Sequence, residues 1–285
     1  MKGRHEQQIV RQEVMKPEKI PTDEFSAMEC CYLQDLKIIT YSKNNWSTRE
    51  RRFSNEREDS ISIDLELGKK HSQSKGFYFF SVYDGHGVNG LVNGEHISKK
   101  CSENLPRNIA KGLPRFWSCN EKSVKKAIKK GFKNTEQFMK TAELSKATKD
   151  AGCTAIIAVL TPLKDIYVVG DLDYAYIGDS PAFISTNQGN SVKITKEHDL
   201  HNKDEVLRLR AQAQKSKGAK FSIYRLAPGR REKFWALDNT FSRGMQYTRS
   251  FGDFYIKDKA KNTEPEFANK TYNAKDLNLL VLCSD

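Results

Sequence analysis

No stretch of this 285-residue chain approaches the ~20 consecutive apolar residues that a membrane-spanning helix needs. The opening residues, Met1-Lys2-Gly3-Arg4-His5-Glu6, lack the apolar core of a secretory signal, and Lys2 stands where N-myristoylation requires glycine. The six cysteines (Cys30, Cys31, Cys101, Cys119, Cys153, Cys283) form no CxxC pair and follow no regular spacing. That argues against a disulfide framework or a structural zinc module. Cys153 and Cys283 fall inside apolar runs, where a free thiol behaves as a small hydrophobe. Reduced thiols and a cytoplasmic or nuclear location are expected. There is no internal repeat, no low-complexity tract, no RNA-recognition signature and no recognition helix with its turn.

Positive charge is in excess, with a formal net charge of +12. A basic surface suits acidic partners. The lysines are spread through 111–149 and 203–233 instead of forming one block, which places many of them on solvated helix faces. Nucleic-acid binding is therefore not expected, and phosphoproteins suit the charge better. Hydrophobic residues make up 38% of the chain, enough for one large core or two small ones.

Residues 1–35 read as a polar lead-in. Strand-like material begins at 36–41, and 60–67 alternates polar and apolar with period two. The run Phe77-Tyr78-Phe79-Phe80-Ser81-Val82-Tyr83 reads as a buried strand. A helix is expected over 94–104, ended by Pro106. The apolar spacings of 121–147 are mostly three and four, which predicts an amphipathic helix over that whole stretch. Strands return at 154–160, 166–169, 174–177 and 182–185. A charged helix follows at 199–216, then a loop-rich basic stretch at 217–243, then a last apolar strand at 277–283. Strands, then helices, then strands again point to an α+β fold with antiparallel sheets.

Asp84-Gly85-His86-Gly87 ends the most apolar of these runs. By itself it fits a hairpin turn as well as a metal site. Other acidic residues also stand at the ends of strand-like runs: Glu58-Asp59 before 60–67, Asp179 in Gly178-Asp179-Ser180, Asp253 in Thr248-Arg249-Ser250-Phe251-Gly252-Asp253, and Asp285 after Ser284. In an antiparallel sandwich such ends can converge at one rim. Carboxylates crowded there repel one another unless a divalent cation neutralises them.

In this order the motifs resemble the metal-dependent Ser/Thr protein phosphatases of type 2C, the PPM class. The matches are Glu58-Asp59, Val82-Tyr83-Asp84-Gly85-His86-Gly87, Gly152-Cys153-Thr154-Ala155, Gly178-Asp179-Ser180, the segment ending in Gly252-Asp253, and Leu280-Val281-Leu282-Cys283-Ser284-Asp285, all within residues 36–285. The resemblance implies a four-layer α-β-β-α sandwich of two antiparallel sheets flanked by helices. It implies a binuclear Mg²⁺ or Mn²⁺ centre with a third, weaker site, and hydrolysis of phosphoserine and phosphothreonine in protein substrates by a monomeric enzyme. Carried over to this chain, Asp84 bridges two metals, Glu58 and the Gly85 carbonyl serve one, and Asp285 serves the other. Asp59 supports the metal ligands from behind or holds water, Asp179 serves the third site, and His86 protonates the leaving alkoxide. Glu58 also reads as a surface partner of Arg57, Asp179 as a turn former, and His86 as a loop-binding histidine. Arg249 and Asp253 read as structural.

Two positions depart from the family pattern. Ser54 stands where the family has its phosphate-binding arginine, with Arg51, Arg52 and Arg57 nearby, and Pro181 replaces the arginine that follows Gly-Asp-Ser. The sequence stops at Asp285, where the family continues. The expectations are a domain incomplete at its C-terminus, a last strand unpaired along one edge, and, as a second functional reading, a weakly active or inactive phosphatase-like binding module.

Overall fold

The computed structural model describes residues 7–12, 27–33, 36–42, 46–47, 52–53, 58–67, 77–87, 91–114, 119–141, 144, 147–149, 151–162, 169–215, 220–224, 233–237, 244–245, 247–254, 263–267, 272–273 and 277–284. Two large antiparallel sheets lie face to face. In one, the order is Glu266–Phe267, Val169–Ile177, Ala155–Pro162, Phe77–Tyr83, Ser60–Leu67. In the other it is Ser191–Lys193, Ala182–Thr186, Leu277–Cys283, Gln7–Gln12, Leu36–Ser42, Ala27–Leu33.

Period-two alternation explains why the first sheet is apolar on both faces. Phe77, Phe79 and Tyr83 join Ile157 and Val159 in a core packed against helices α1 (Leu91–Ala110) and α2 (Glu121–Met139). Phe80 and Val82 join Ile156, Ala158 and Leu160 on the opposite face, where they meet Ile184, Leu280 and Leu282 of the second sheet. The layers therefore run helices, sheet, sheet. The α+β class and the antiparallel sheets flanked by helices agree with the sequence reading. No helix among the described residues is long and apolar enough to cross a membrane.

Several elements differ from the sequence reading. Helix α1 continues through Pro106 to Ala110. The ring removes one backbone donor, yet Leu105, Ile109 and Ala110 beyond and beside it are buried against α2, and that packing carries the helix on. Helix α2 starts at a capping box, Asn120 with Ser123. It stops at Met139, well short of 147, because the Thr148 hydroxyl donates to the Met139 carbonyl (2.9 Å) and turns the chain back. Leu144 is buried from that turn, outside any helix. The polar 1–35 stretch supplies two strands, and 217–243 supplies Lys220–Tyr224 and Lys233–Leu237. The last strand, Leu277–Cys283, pairs with Ala182–Thr186 on one side and Gln7–Gln12 on the other, so the expected unpaired edge is filled. Helix α3 (Lys203–Lys215) covers most of the predicted 199–216.

Phe132 is fully buried and stacks on Phe251 with ring centroids 5.3 Å apart, tying α2 to the segment that ends in Asp253. Phe132→Ala is expected to lower unfolding free energy by about 3–5 kcal/mol. Leu207→Ala, at a side chain 61% exposed, should stay within about 0.5 kcal/mol of wild type. Urea denaturation of the two variants checks this, and equal losses would show that the α2–Phe251 contact does not carry the packing.

Candidate active site

Glu58, Asp59, Asp84 and Asp179 lie on a closed ring of contacts at one rim of the sandwich. The Asp84 N–H donates to Thr154 Oγ1 (3.3 Å), and the Thr154 N–H returns a bond to the Asp84 carbonyl (2.9 Å). Thr154 Oγ1 and Ser180 Oγ share a 2.6 Å hydrogen bond, with Asp179 the residue before. The Pro181 carbonyl accepts from the Cys283 N–H (3.0 Å), and Ser284 Oγ donates to Asp59 Oδ2 (2.9 Å). The Glu58 carbonyl accepts from the Gly85 N–H (3.1 Å), which brings the ring back to Asp84. Each link joins the end of one strand to the end of another. Pairing of Phe77–Tyr83 with both neighbouring strands fixes where those ends fall.

Gly85 is obligatory in this ring because of a close approach. A Cβ there would stand 2.3 Å from the Glu58 carbonyl oxygen and 2.4 Å from that of Gly94 in α1. The loop bearing Asp84 and His86 is thus wedged between the Glu58 backbone and the start of the helix. The Glu58 side chain is half-buried, and its carboxyl is pushed up to about 7, first by burial and then by the adjacent Asp59 charge. Asp179 is buried as well. Two or more acids in such a place favour a bound cation, since a positive charge reverses both causes. The donors are all hard oxygens: the carboxylates of Glu58, Asp59, Asp84 and Asp179, and the Gly85 carbonyl. That set suits Mg²⁺ or Mn²⁺.

His86 sits beside the ring, on a small sheet of Gly85–Gly87, Ala151–Cys153 and Phe251–Gly252. Register places His86 and Gly252 on either side of Gly152. A Cβ on Gly152 would fall 2.5 Å from Asp253 Oδ2 and 2.8 Å from His86 Nε2. With that atom absent, His86 Nε2 and Asp253 Oδ2 meet at 2.8 Å. The Tyr247 ring packs on the imidazole, centroids 4.6 Å apart. The sequence reads Asp253 as structural; the structure brings it to the histidine directly.

A third cluster lies behind this one. Donor atoms of His198, Glu205 and Glu266 come within 4.8 Å of one another. Their chemistry is that of an ion-pair network and not of a metal site. Glu205, 2% exposed, pairs with Arg208 and Arg249 and accepts the Thr248 hydroxyl. Burial works against its charge, but the two guanidinium groups outweigh that and hold the carboxyl far below the usual range. Glu266 accepts from His198 Nε2 (3.0 Å) and from the Tyr176 hydroxyl (3.2 Å). His198 Nδ1 accepts from the Gly178 N–H (3.1 Å), which fixes the proton on Nε2. The network clamps the Gly178–Asp179 turn on one side and the 248–253 segment on the other. Arg249 is structural, as its sequence setting suggested.

Of the residues singled out by sequence, Glu58, Asp59, Asp84, Gly85 and Asp179 share the ring, and His86 adjoins it. Asp285 lies outside the described residues, as do Arg51, Ser54 and Arg57. Sequence reasoning assigned no role to Thr154 or Ser284, although both stand at strand ends in the quoted motifs.

Metal-free protein should show the strain on Glu58 directly. Below pH 4.5 the carboxyl is protonated in the folded and unfolded chains alike, so Glu58→Gln and wild type should match. As pH rises to about 7, the unfolded chain ionises while the fold resists, so wild type should lose stability relative to Glu58→Gln. Excess Mn²⁺ should reverse the order. Thermal midpoints across this range, with chelator and with Mn²⁺, check the sign, and a pH-independent difference would refute it.

A family model described as Protein phosphatase 2C matches residues 46–285. Protein phosphatase ppm-1.A of Caenorhabditis elegans is 25% identical over 230 residues, which cover 75% of this chain and 42% of the relative. Protein phosphatase 2C homolog 2 of Schizosaccharomyces pombe is 28% identical over 155 residues, covering 54% of this chain and 37% of the relative. The chain thus aligns with less than half the length of either protein. The crystal structure of serine-threonine phosphatase 2C from Toxoplasma gondii covers 79% of this chain and 76% of its own at 17% identity, with a TM-score of 0.56, a likeness of fold. The family match spans every acidic segment of the ring, and on it the chain belongs to the protein phosphatase 2C family.

Proposed function

We propose that this protein hydrolyses phosphoserine and phosphothreonine in protein substrates at a site holding Mg²⁺ or Mn²⁺. The observation that carries the reading is the ring itself, which draws Glu58-Asp59, Asp84-Gly85, Asp179 and Ser284 to one rim beside His86. Asp84, Glu58, the Gly85 carbonyl and Asp285 would hold two cations, and Asp179 would serve a third, weaker position. Bound there, the cations supply charge neutralisation for the phosphoryl oxygens and lower the pKa of water.

The chain's own groups do the rest. The Thr154 bonds and the Glu58–Gly85–Gly94 wedge fix Asp84, so little reorganisation accompanies substrate binding. Asp59, accepting from Ser284, orients the attacking water in line with phosphorus. His86, whose side chain is 22% exposed, delivers the proton that the leaving serine or threonine oxygen needs. A group in that role is worth roughly 10²–10⁴-fold in rate. No cysteine or serine nucleophile is required. The net charge of +12 draws phosphorylated, acid-flanked segments to the protein.

Phosphate release from a phosphothreonine peptide, measured with Mn²⁺ and with chelator, tests the reading. Wild type should turn over only with the cation, and Asp84→Asn should reduce kcat by at least about 10²-fold. Calorimetric titration with Mn²⁺ should find two sites in wild type and a loss of binding in the variant. Turnover equal in Asp84→Asn and wild type, or a protein that binds no Mn²⁺, would overturn the assignment; the latter outcome would favour a phosphoprotein-binding module.

A further inference from the structure

Asp253 is a buried acid that the reaction as described so far does not use. It is 1% exposed and held in the left-handed region at φ 54, where a non-glycine residue costs energy unless its surroundings require it. Its N–H donates to the Ala151 carbonyl (2.9 Å), and Ser250 Oγ donates to its Oδ2 (2.6 Å). The same oxygen faces His86 Nε2 at 2.8 Å. An oxygen that accepts from a hydroxyl and sits at this distance from an imidazole nitrogen accepts from that nitrogen too. Nε2 therefore carries its proton towards Asp253. The ring is gripped from a second direction by Tyr247, and the missing side chain of Gly152 leaves the space in which the pair forms.

We propose that Asp253 is a positioning residue for the phosphatase reaction, and that it leaves Nδ1 of His86 as the atom that protonates the leaving group. This inference rests on the phosphatase reading above. As the P–O bond to the substrate breaks, its electron pair stays on the leaving oxygen, which takes the Nδ1 proton. The imidazole ends neutral, with Nε2–H still on Asp253, and regains a proton from water. Asp253 fixes the ring so that Nδ1 faces the leaving oxygen, and its negative charge complements the protonated imidazole before transfer. Ser250 and the Ala151 carbonyl keep Asp253 in place.

A proton donor matters only for a leaving group that needs a proton. Serine and threonine alkoxides do, whereas a nitrophenolate leaves without one. Asp253→Asn preserves the shape, and asparagine tolerates positive φ. With Mn²⁺, this variant should lower kcat on a phosphothreonine peptide by about 10–100-fold with KM little changed, within the roughly 10²–10⁴-fold that a general acid supplies. Its kcat on p-nitrophenyl phosphate should stay within about threefold of wild type. Ser250→Ala should show the same selectivity more weakly. Added to His86→Ala, Asp253→Asn should cost less than about twofold more on the peptide, because both act through one proton transfer. Equal losses on both substrates, or additive losses with His86→Ala, would overturn the proposal. A readout independent of turnover comes from NMR of ¹⁵N-histidine-labelled protein. Wild type should show a downfield, slowly exchanging Nε2 proton on His86 that disappears in Asp253→Ala. Its absence from wild type also overturns the pairing. Wild type that hydrolyses neither substrate yet retains this proton would sink the phosphatase reading and leave the His86–Asp253 pair standing.

Discussion

Like charges brought together under partial burial are the constraint on which the rest of this structure depends. A single carboxylate at a strand end is ordinary. Glu58 and Asp59, side by side and hydrogen-bonded into the same ring as Asp84, are not, and the rise of the Glu58 carboxyl towards neutrality measures the penalty. The polypeptide absorbs part of that penalty through a local donor, the Ser284 hydroxyl on the Asp59 carboxylate. A divalent ion bound there would offset the remainder.

Holding the ring requires a second electrostatic device some distance away. The Glu205 carboxylate, buried between two arginines, has the opposite character from Glu58: its charge is fully neutralised inside the protein. Through Arg249 and Thr248 it anchors the segment that ends in Asp253, and through Glu266 and His198 the Gly178–Asp179 turn. The Glu205 network gives the ring a rigid frame.

Much of this was legible in the sequence, for identifiable reasons. Ser60–Leu67, Phe77–Tyr83 and Leu277–Cys283 follow from alternation and β-branched or aromatic content, which local sequence reports faithfully. Glu58, Asp59, Asp84, Gly85, His86 and Asp179 were legible because they sit at the ends of such runs in motifs with fixed spacing. The end of α2 was not, because the apolar spacing continues to Leu144 while the Met139 carbonyl is taken by the Thr148 hydroxyl from beyond the helix. Gln7–Gln12 reads as polar, and its strand state comes from pairing with partners about thirty and 270 residues away in the chain. Asp253 eluded the reading for the same kind of reason. Its part depends on His86 and Gly252 lying on opposite sides of Gly152, a juxtaposition across three segments that no single window contains.

Gly152 shows how closely fold and chemistry are joined here. Its neighbours in sequence, Ala151 and Cys153, are fully buried and belong to the helix-facing core. Its place in the small sheet is set by the long strand Ala155–Pro162 that follows Thr154, and Thr154 in turn fixes Asp84. One short stretch thus spaces the loop bearing Asp84 from the histidine and its acid. Any added side chain at Gly152 would push against the Phe251 carbonyl at 2.2 Å as well as against both members of the pair. The fold would have to open the small sheet to make room, and opening it would move Asp84 and His86 together. Asp84 and His86 therefore share one mechanical support.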